Sequence, residues 1–164
     1  NDKERIINES IESLRREGLK FSIDTLAERL NISKKTVYKY FSNKEELAFA
    51  LYRKYFADAK EQAKLLAKEN SLSARKQLLH LYLDAKYLTC VDIFNKYKLN
   101  EVLRSYTAKE SDELLKIVFS SLRGGAFKGD EKSFGIILNG TFEKLCSEKI
   151  APDGVLNRLV NMLW

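Results

Sequence analysis

An all-α fold is what the sequence predicts, and three observations predict it. The 164 residues include one Pro and seven Gly, too few breakers for the many turns of a sandwich or barrel. Apolar residues recur three and four apart through most of the chain. Several of the segments so marked open on Ser, Thr or Asp and some close on Gly or Asn. About nine helices and no sheet are expected. Hydrophobic residues make up 45% and charged residues 32%, so the chain can bury a core without disulfides or metals.

The elements follow in order. Asp2 to Glu17 interleaves charge with Ile6, Ile7, Ile11 and Leu14, one helical stripe that Gly18 stops. Ser22 caps a short helix over Ile23 to Leu30, with Leu26, Ala27 and Leu30 inward. Asn31 tolerates the left-handed backbone of a tight turn, and Ser33 caps a third helix, Lys34 to Phe41. There Val37 and Phe41 face inward and the lysines outward. Ser42-Asn43-Lys44-Glu45 has the capping-box pattern. Leu47, Leu51, Tyr55, Ala59, Ala63 and Leu66 then carry a helix to about Glu69, roughly 35–40 Å at 1.5 Å per residue. After a break at Asn70 to Ser73, a helix is predicted from Ala74 to about Thr89. Val91 to Tyr106 reads as one or two helices with a kink near Leu99-Asn100. Thr107-Ala108-Lys109-Glu110 reads as a second capping box, opening a helix to about Arg123. Gly124, Gly125 and Gly129 mark the largest loop. Asp130 caps a helix from Glu131 to about Lys149, and Pro152 suits the first turn of a final helix ending near Trp164.

Charge and cysteine content narrow the setting. The formal charge is +6, with +3 in residues 1–56 and +3 in residues 57–164, which permits a nucleic-acid partner without requiring one. Locally, Ser33 to Lys44 holds Lys34, Lys35, Lys39 and Lys44 and no acid. Two cysteines, Cys90 and Cys146, make no disulfide framework and suit a reducing compartment. No run approaches the roughly eighteen apolar residues of a membrane span, and the polar start is no signal peptide. Asn1 stands in place of Met, so a trimmed start and a cytoplasmic protein are expected.

Helix, tight turn, short helix is the arrangement that places its second helix in the major groove. It needs a packed inner face, an outer face of donors, and no acids near the phosphates. Ser33 to Lys44 meets all three. Phe21-Ser22-Ile23, Leu26-Ala27, Leu30-Asn31-Ile32-Ser33, Thr36-Val37-Tyr38-Lys39-Tyr40-Phe41 and Ser42-Asn43-Lys44-Glu45-Glu46-Leu47 occur in that order. This run resembles the N-terminal signature of TetR-family transcriptional regulators. The resemblance implies base contacts from Lys34, Lys35 and Tyr38. It implies phosphate contacts from Ser22, Thr36, Lys39, Tyr40 and Lys44. Two departures from the pattern are Asn31, where Gly is frequent, and Lys35, where Gly is also frequent. The alternative is ordinary solvated charge at the lysines and half-buried packing at Tyr38 and Tyr40.

The division expected is residues 1–46 for DNA binding and residues 47–164 for effector binding and dimerisation. By resemblance the larger part holds a pocket for a small apolar or amphipathic effector. The candidates are Tyr82, Tyr87, Phe94, Tyr106 and Phe119, against the alternative that each is plain core. Two reading heads on two half-sites imply a homodimer. By resemblance its interface is the last two helices, here Phe134, Leu138, Phe142, Leu145, Leu156, Leu159, Val160 and Leu163. The alternative is intramolecular core. No catalytic motif, cofactor motif or metal spacing is present, and His80 has no motif around it. The expected protein is a cytoplasmic, non-enzymatic repressor, released from a palindromic DNA operator by its effector. The rival is a DNA-binding module with no effector, controlled by a protein partner or unregulated.

Overall fold

The computed structural model describes residues 1–90 and 100–164. Among the described residues there are eight α-helices and no strand. They are α1 (Asp2–Glu17), α2 (Ile23–Leu30), α3 (Lys34–Tyr40), α4 (Lys44–Glu69), α5 (Leu72–Leu88), α6 (Glu101–Ser120), α7 (Glu131–Ser147) and α8 (Asp153–Leu163). A single 3-10 turn, Gly18–Lys20, follows α1. The start of the helix expected from Val91, and the kink expected at Leu99, lie outside the described residues. No helix of the described residues is long and apolar enough to cross a membrane.

The chain folds as two compact units. The first is Asn1–Ala57 with Leu88–Thr107. Its core holds Ile6, Leu14, Phe21, Leu26, Val37, Leu47, Leu51, Tyr52 and Phe56, each at most 2% exposed. Removing one such side chain from water stabilises by about 1.5–3 kcal/mol. α1 buries Ile6, Ser10, Ser13 and Leu14, while Ile7 and Ile11 stay half-buried. The buried serines are satisfied. Ser10 donates to the Ile6 carbonyl at 2.7 Å, and Ser13 accepts from Arg29 at 2.9 Å. Gly18 adopts φ 67°, a left-handed exit that a side chain would strain.

Three contacts tie Leu88, Asn100 and Tyr106 to α4 within this unit. The Tyr52 hydroxyl donates to the Leu88 carbonyl at 2.5 Å. Asn100 donates to the Glu45 carboxylate. The Phe49 and Tyr106 rings lie 6.0 Å apart. Asn100 also caps α6, accepting from the Leu103 amide at 2.8 Å. α6 then runs unbroken through Thr107. That residue is 2% exposed, and its hydroxyl donates to the Arg104 carbonyl at 3.0 Å. The capping box read at Thr107 is therefore the middle of a helix: its hydroxyl bonds backward along the helix instead of opening a new one.

The second unit is Asp58–Tyr87 with Ala108–Trp164. Ala63, Leu78, Leu79, Tyr82, Leu114, Val118, Phe134, Phe142 and Leu156 are all 0% exposed. Lys60 bridges Glu110 at 2.5 Å and Glu113 at 2.8 Å. These bonds hold the Lys60 ammonium's pKa up and the Glu113 carboxyl's down. Asp130 caps α7 as expected, accepting from Ser133 at 2.8 Å. The end of the chain is pinned in this unit. The Trp164 indole donates to the Ser121 carbonyl at 2.9 Å, and the Phe127 amide to the Leu163 carbonyl at 3.0 Å.

Candidate nucleic-acid interface

α2 and α3 meet through Asn31-Ile32-Ser33. Asn31 sits in the left-handed region at φ 56°, ψ 45°. Its amide bonds Glu28 and the Ile32 amide bonds Ala27, both at 3.0 Å, closing the end of α2. Arg5 adds a donor to the Leu30 carbonyl at 2.8 Å. The two helices carry twin caps. Ser22 accepts from the Thr25 amide at 3.0 Å, and Ser33 from the Thr36 amide at 3.1 Å. In each pair the two hydroxyls are also hydrogen-bonded to each other, at 2.7 Å and 2.9 Å. Each cap contributes about 1 kcal/mol, a large share for helices this short.

The inner face is packed: Phe21, Leu26, Ala27, Val37 and Phe41 are at most 4% exposed. The outer face is open. Lys34, Lys35, Tyr38 and Lys39 are exposed, as is Ser22, while Thr36 and Tyr40 are half-buried. The Lys39 ammonium lies 5.7 Å from the Tyr40 ring centre, which steadies a long side chain over an aromatic face. Lys34, Lys35 and Tyr38 thus share the solvent side of α3, with Lys39 one turn on.

Two of the expected contacts are already engaged. The Lys34 ammonium lies 2.9 Å from the Asp24 carboxylate. That hydrogen bond and its Coulomb attraction raise the lysine's pKa. Lys44 is half-buried. Its ammonium donates to the Phe21 carbonyl and lies 4.7 Å from the Phe21 ring centre. Burial lowers its pKa. It braces the entry of α2 against the start of α4. The capping box there sits one residue later than Ser42 and Glu45. Asn43 accepts from the Glu46 amide at 2.9 Å, and the Glu46 carboxylate from the Ser42 amide at 2.6 Å.

The candidate effector residues find separate neighbours. Tyr82 is 0% exposed, donates to Asn139 at 2.7 Å and lies 5.9 Å from the Phe142 ring. Phe119 lies 5.6 Å from Phe134, and Tyr87 is exposed. Tyr106 belongs with Phe49 in the first unit. Phe94 lies outside the described residues. The eight candidate interface residues on α7 and α8 are all buried in the single chain, at 0–7%. These helices also leave Ile136, Ile137 and Met162 exposed, at 67%, 49% and 68%. His80 lies 3.2 Å from Asp153, and Cys90 and Cys146, partly buried, form no disulfide. Among the described residues no cluster of His, Cys, Asp or Glu could hold a metal.

Comparison with known proteins places this geometry. Residues 6–51 match the family described as bacterial regulatory proteins, tetR family. The chain is 26% identical over 98 residues to an uncharacterized HTH-type transcriptional regulator, YvaF of Bacillus subtilis (strain 168). That match takes in 60% of the chain, which spans 50% of the relative's length. Two solved structures share the fold over 97% of this chain and 94% of theirs. One is the superantigen PfiT, at TM-score 0.68 and 14% identity. The other is the fatty acid degradation regulator FadR from Bacillus halodurans, at 0.64 and 17%. The matched segment begins inside α1 and ends inside α4, so it takes in the whole α2–turn–α3 unit with its caps and exposed lysines. Through that segment the chain is similar to the tetR family of bacterial regulatory proteins.

Proposed function

We propose that the protein is a sequence-specific transcriptional regulator that docks α3 in the major groove of double-stranded DNA. The observation that carries this is the outer face of α3. Lys34, Lys35, Tyr38 and Lys39 are exposed on a helix whose Val37 is fully buried. A groove about 12 Å wide accepts one such helix. Lys34, Lys35 and Tyr38 read bases, and Ser22, Thr36, Lys39 and Tyr40 hold phosphates. Lys44 acts first as a brace, and any phosphate it meets is met from its position on Phe21. Residues 1–46 supply these contacts. Residues 47–164 supply dimerisation, through the surface that Ile136, Ile137 and Met162 leave open.

The test is selection of random duplexes by the purified protein at two salt concentrations. A palindrome with half-sites one helical turn or a multiple apart supports a dimeric operator reader. Binding without an enriched sequence sinks the reading.

Release of DNA by a small apolar or amphipathic effector is supported by the aromatic content of the second unit. A specific observation favours the rival, a regulator with no effector. Tyr82, one of the five residues expected to line the pocket, is closed in the core with its hydroxyl satisfied. Ligand-free and ligand-screened thermal shifts separate the two.

A further inference from the structure

Asp24 stands out on the face proposed to meet DNA. It lies in the first turn of α2, exposed, where a carboxylate would repel phosphates. Its Oδ1 lies 2.9 Å from Nζ of Lys34, the first residue of α3. Both side chains are more than half exposed, at 67% and 58%, so the pair adds little to the stability of the fold. Its effect falls on what Lys34 can do.

Building on the DNA-reading function proposed above, we infer that Asp24 is a specificity-determining residue that reserves Lys34 for a guanine edge and keeps it off the phosphates. A lone lysine is a flexible point charge that serves any phosphate. An ammonium has three donors. Asp24 takes one, which cancels the local charge and fixes the long stem. The two left suit the paired acceptors O6 and N7 of guanine. For Lys34 to swing to a phosphate it must abandon Asp24 and leave an unneutralised carboxylate beside the backbone. The acid thus lowers affinity for every sequence, and lowers it least where a guanine occupies the Lys34 position.

The experiment titrates wild type, Asp24→Asn, Asp24→Glu, Lys34→Ala and the Asp24→Asn/Lys34→Ala double variant against the selected duplex and a random duplex across salt. Asp24→Asn should tighten random-duplex binding and steepen its salt slope by about 0.9, one extra phosphate neutralised. Discrimination between the two duplexes should fall about tenfold, the size of one base contact. Asp24→Glu should restore most of it. In the Lys34→Ala background, Asp24→Asn should no longer change discrimination. A slope and ratio unchanged by Asp24→Asn overturn the inference while leaving the DNA-reading function standing. So does a change of the same size with Lys34 absent, which means bare repulsion. A wild type that binds no duplex sinks both. Unchanged melting of Asp24→Asn keeps folding out of the comparison.

Discussion

Replacing Lys44 with Ala tests whether this lysine is a brace or a simple phosphate contact. The substitution removes a charged donor from the Phe21 carbonyl and a cation from the face of a ring that is 1% exposed. A hydrogen bond from a charged donor contributes about 1.5–3 kcal/mol, discounted here because the ammonium is only half-buried. The ring contact adds about 0.5–1 kcal/mol. Releasing the lysine from partial burial returns some of this, since burial disfavours its charge. The expected loss is about 1–2 kcal/mol. Urea unfolding followed by circular dichroism reads the stability, and a DNA titration across salt reads the contact. A brace predicts that loss, with weaker binding to all duplexes and a salt slope nearly unchanged. Stability within about 0.5 kcal/mol of wild type, with the slope reduced by about 0.9, would refute the reasoning and restore Lys44 as a plain phosphate ligand.

Three further outcomes follow from the geometry. In Gly125→Ala the new Cβ would meet the Leu163 carbonyl at 2.9 Å, the Leu122 carbonyl at 3.0 Å and the Trp164 Cα at 3.1 Å, all backbone. The cost should be about 2–4 kcal/mol, and the emission of Trp164, the one Trp in the sequence, should report the shift. Asn31→Val should lose about 1–2 kcal/mol in thermal unfolding, because a β-branched residue resists φ 56°, whereas Asn31→Gly should stay close to wild type. Burial raises the pKa of both Tyr52 and Tyr82 above the usual value. Their contribution to stability is complete below about pH 10 and lost as pH rises beyond it. Phenolate absorbance should show these two ionising only as the protein unfolds, and the Tyr52→Phe/Tyr82→Phe double variant should lose less stability across that range.

Helix ends in the first seventy residues were legible because caps are local chemistry. Ser22, Ser33 and Gly18 each act within four residues of themselves. The same logic failed at Thr107, where burial, which is not local, decided what the hydroxyl bonds. On α7 the periodicity identified the apolar face but not what covers it, so Phe134 and Leu138 read equally well as core or interface. In the single chain both are buried, while Ile136 and Ile137 are exposed. On α3 the exposed lysines were legible from an acid-free stretch. The pairing of Lys34 with Asp24 was not, because the acid lies ten positions away on another helix. The setting of Lys44 was hidden for a related reason. Its charge is visible in sequence, and the Phe21 carbonyl that holds it is not.

The interleaving of the two compact units has a bearing on how such a protein can be dissected or exchanged. The chain passes from one unit to the other at Ala57, at Tyr87 and at Thr107, and the first and third of these points fall inside α4 and α6. No single cut yields either unit as one fragment. A piece ending at residue 57 would leave the Tyr52 hydroxyl without the Leu88 carbonyl and the Phe49 ring without Tyr106. Joining residues 1–57 to another protein by simple fusion would carry the same defect. A working chimera needs residues 88–107 moved together with the N-terminal segment, which makes recombination at the obvious boundary a poor route to new specificities.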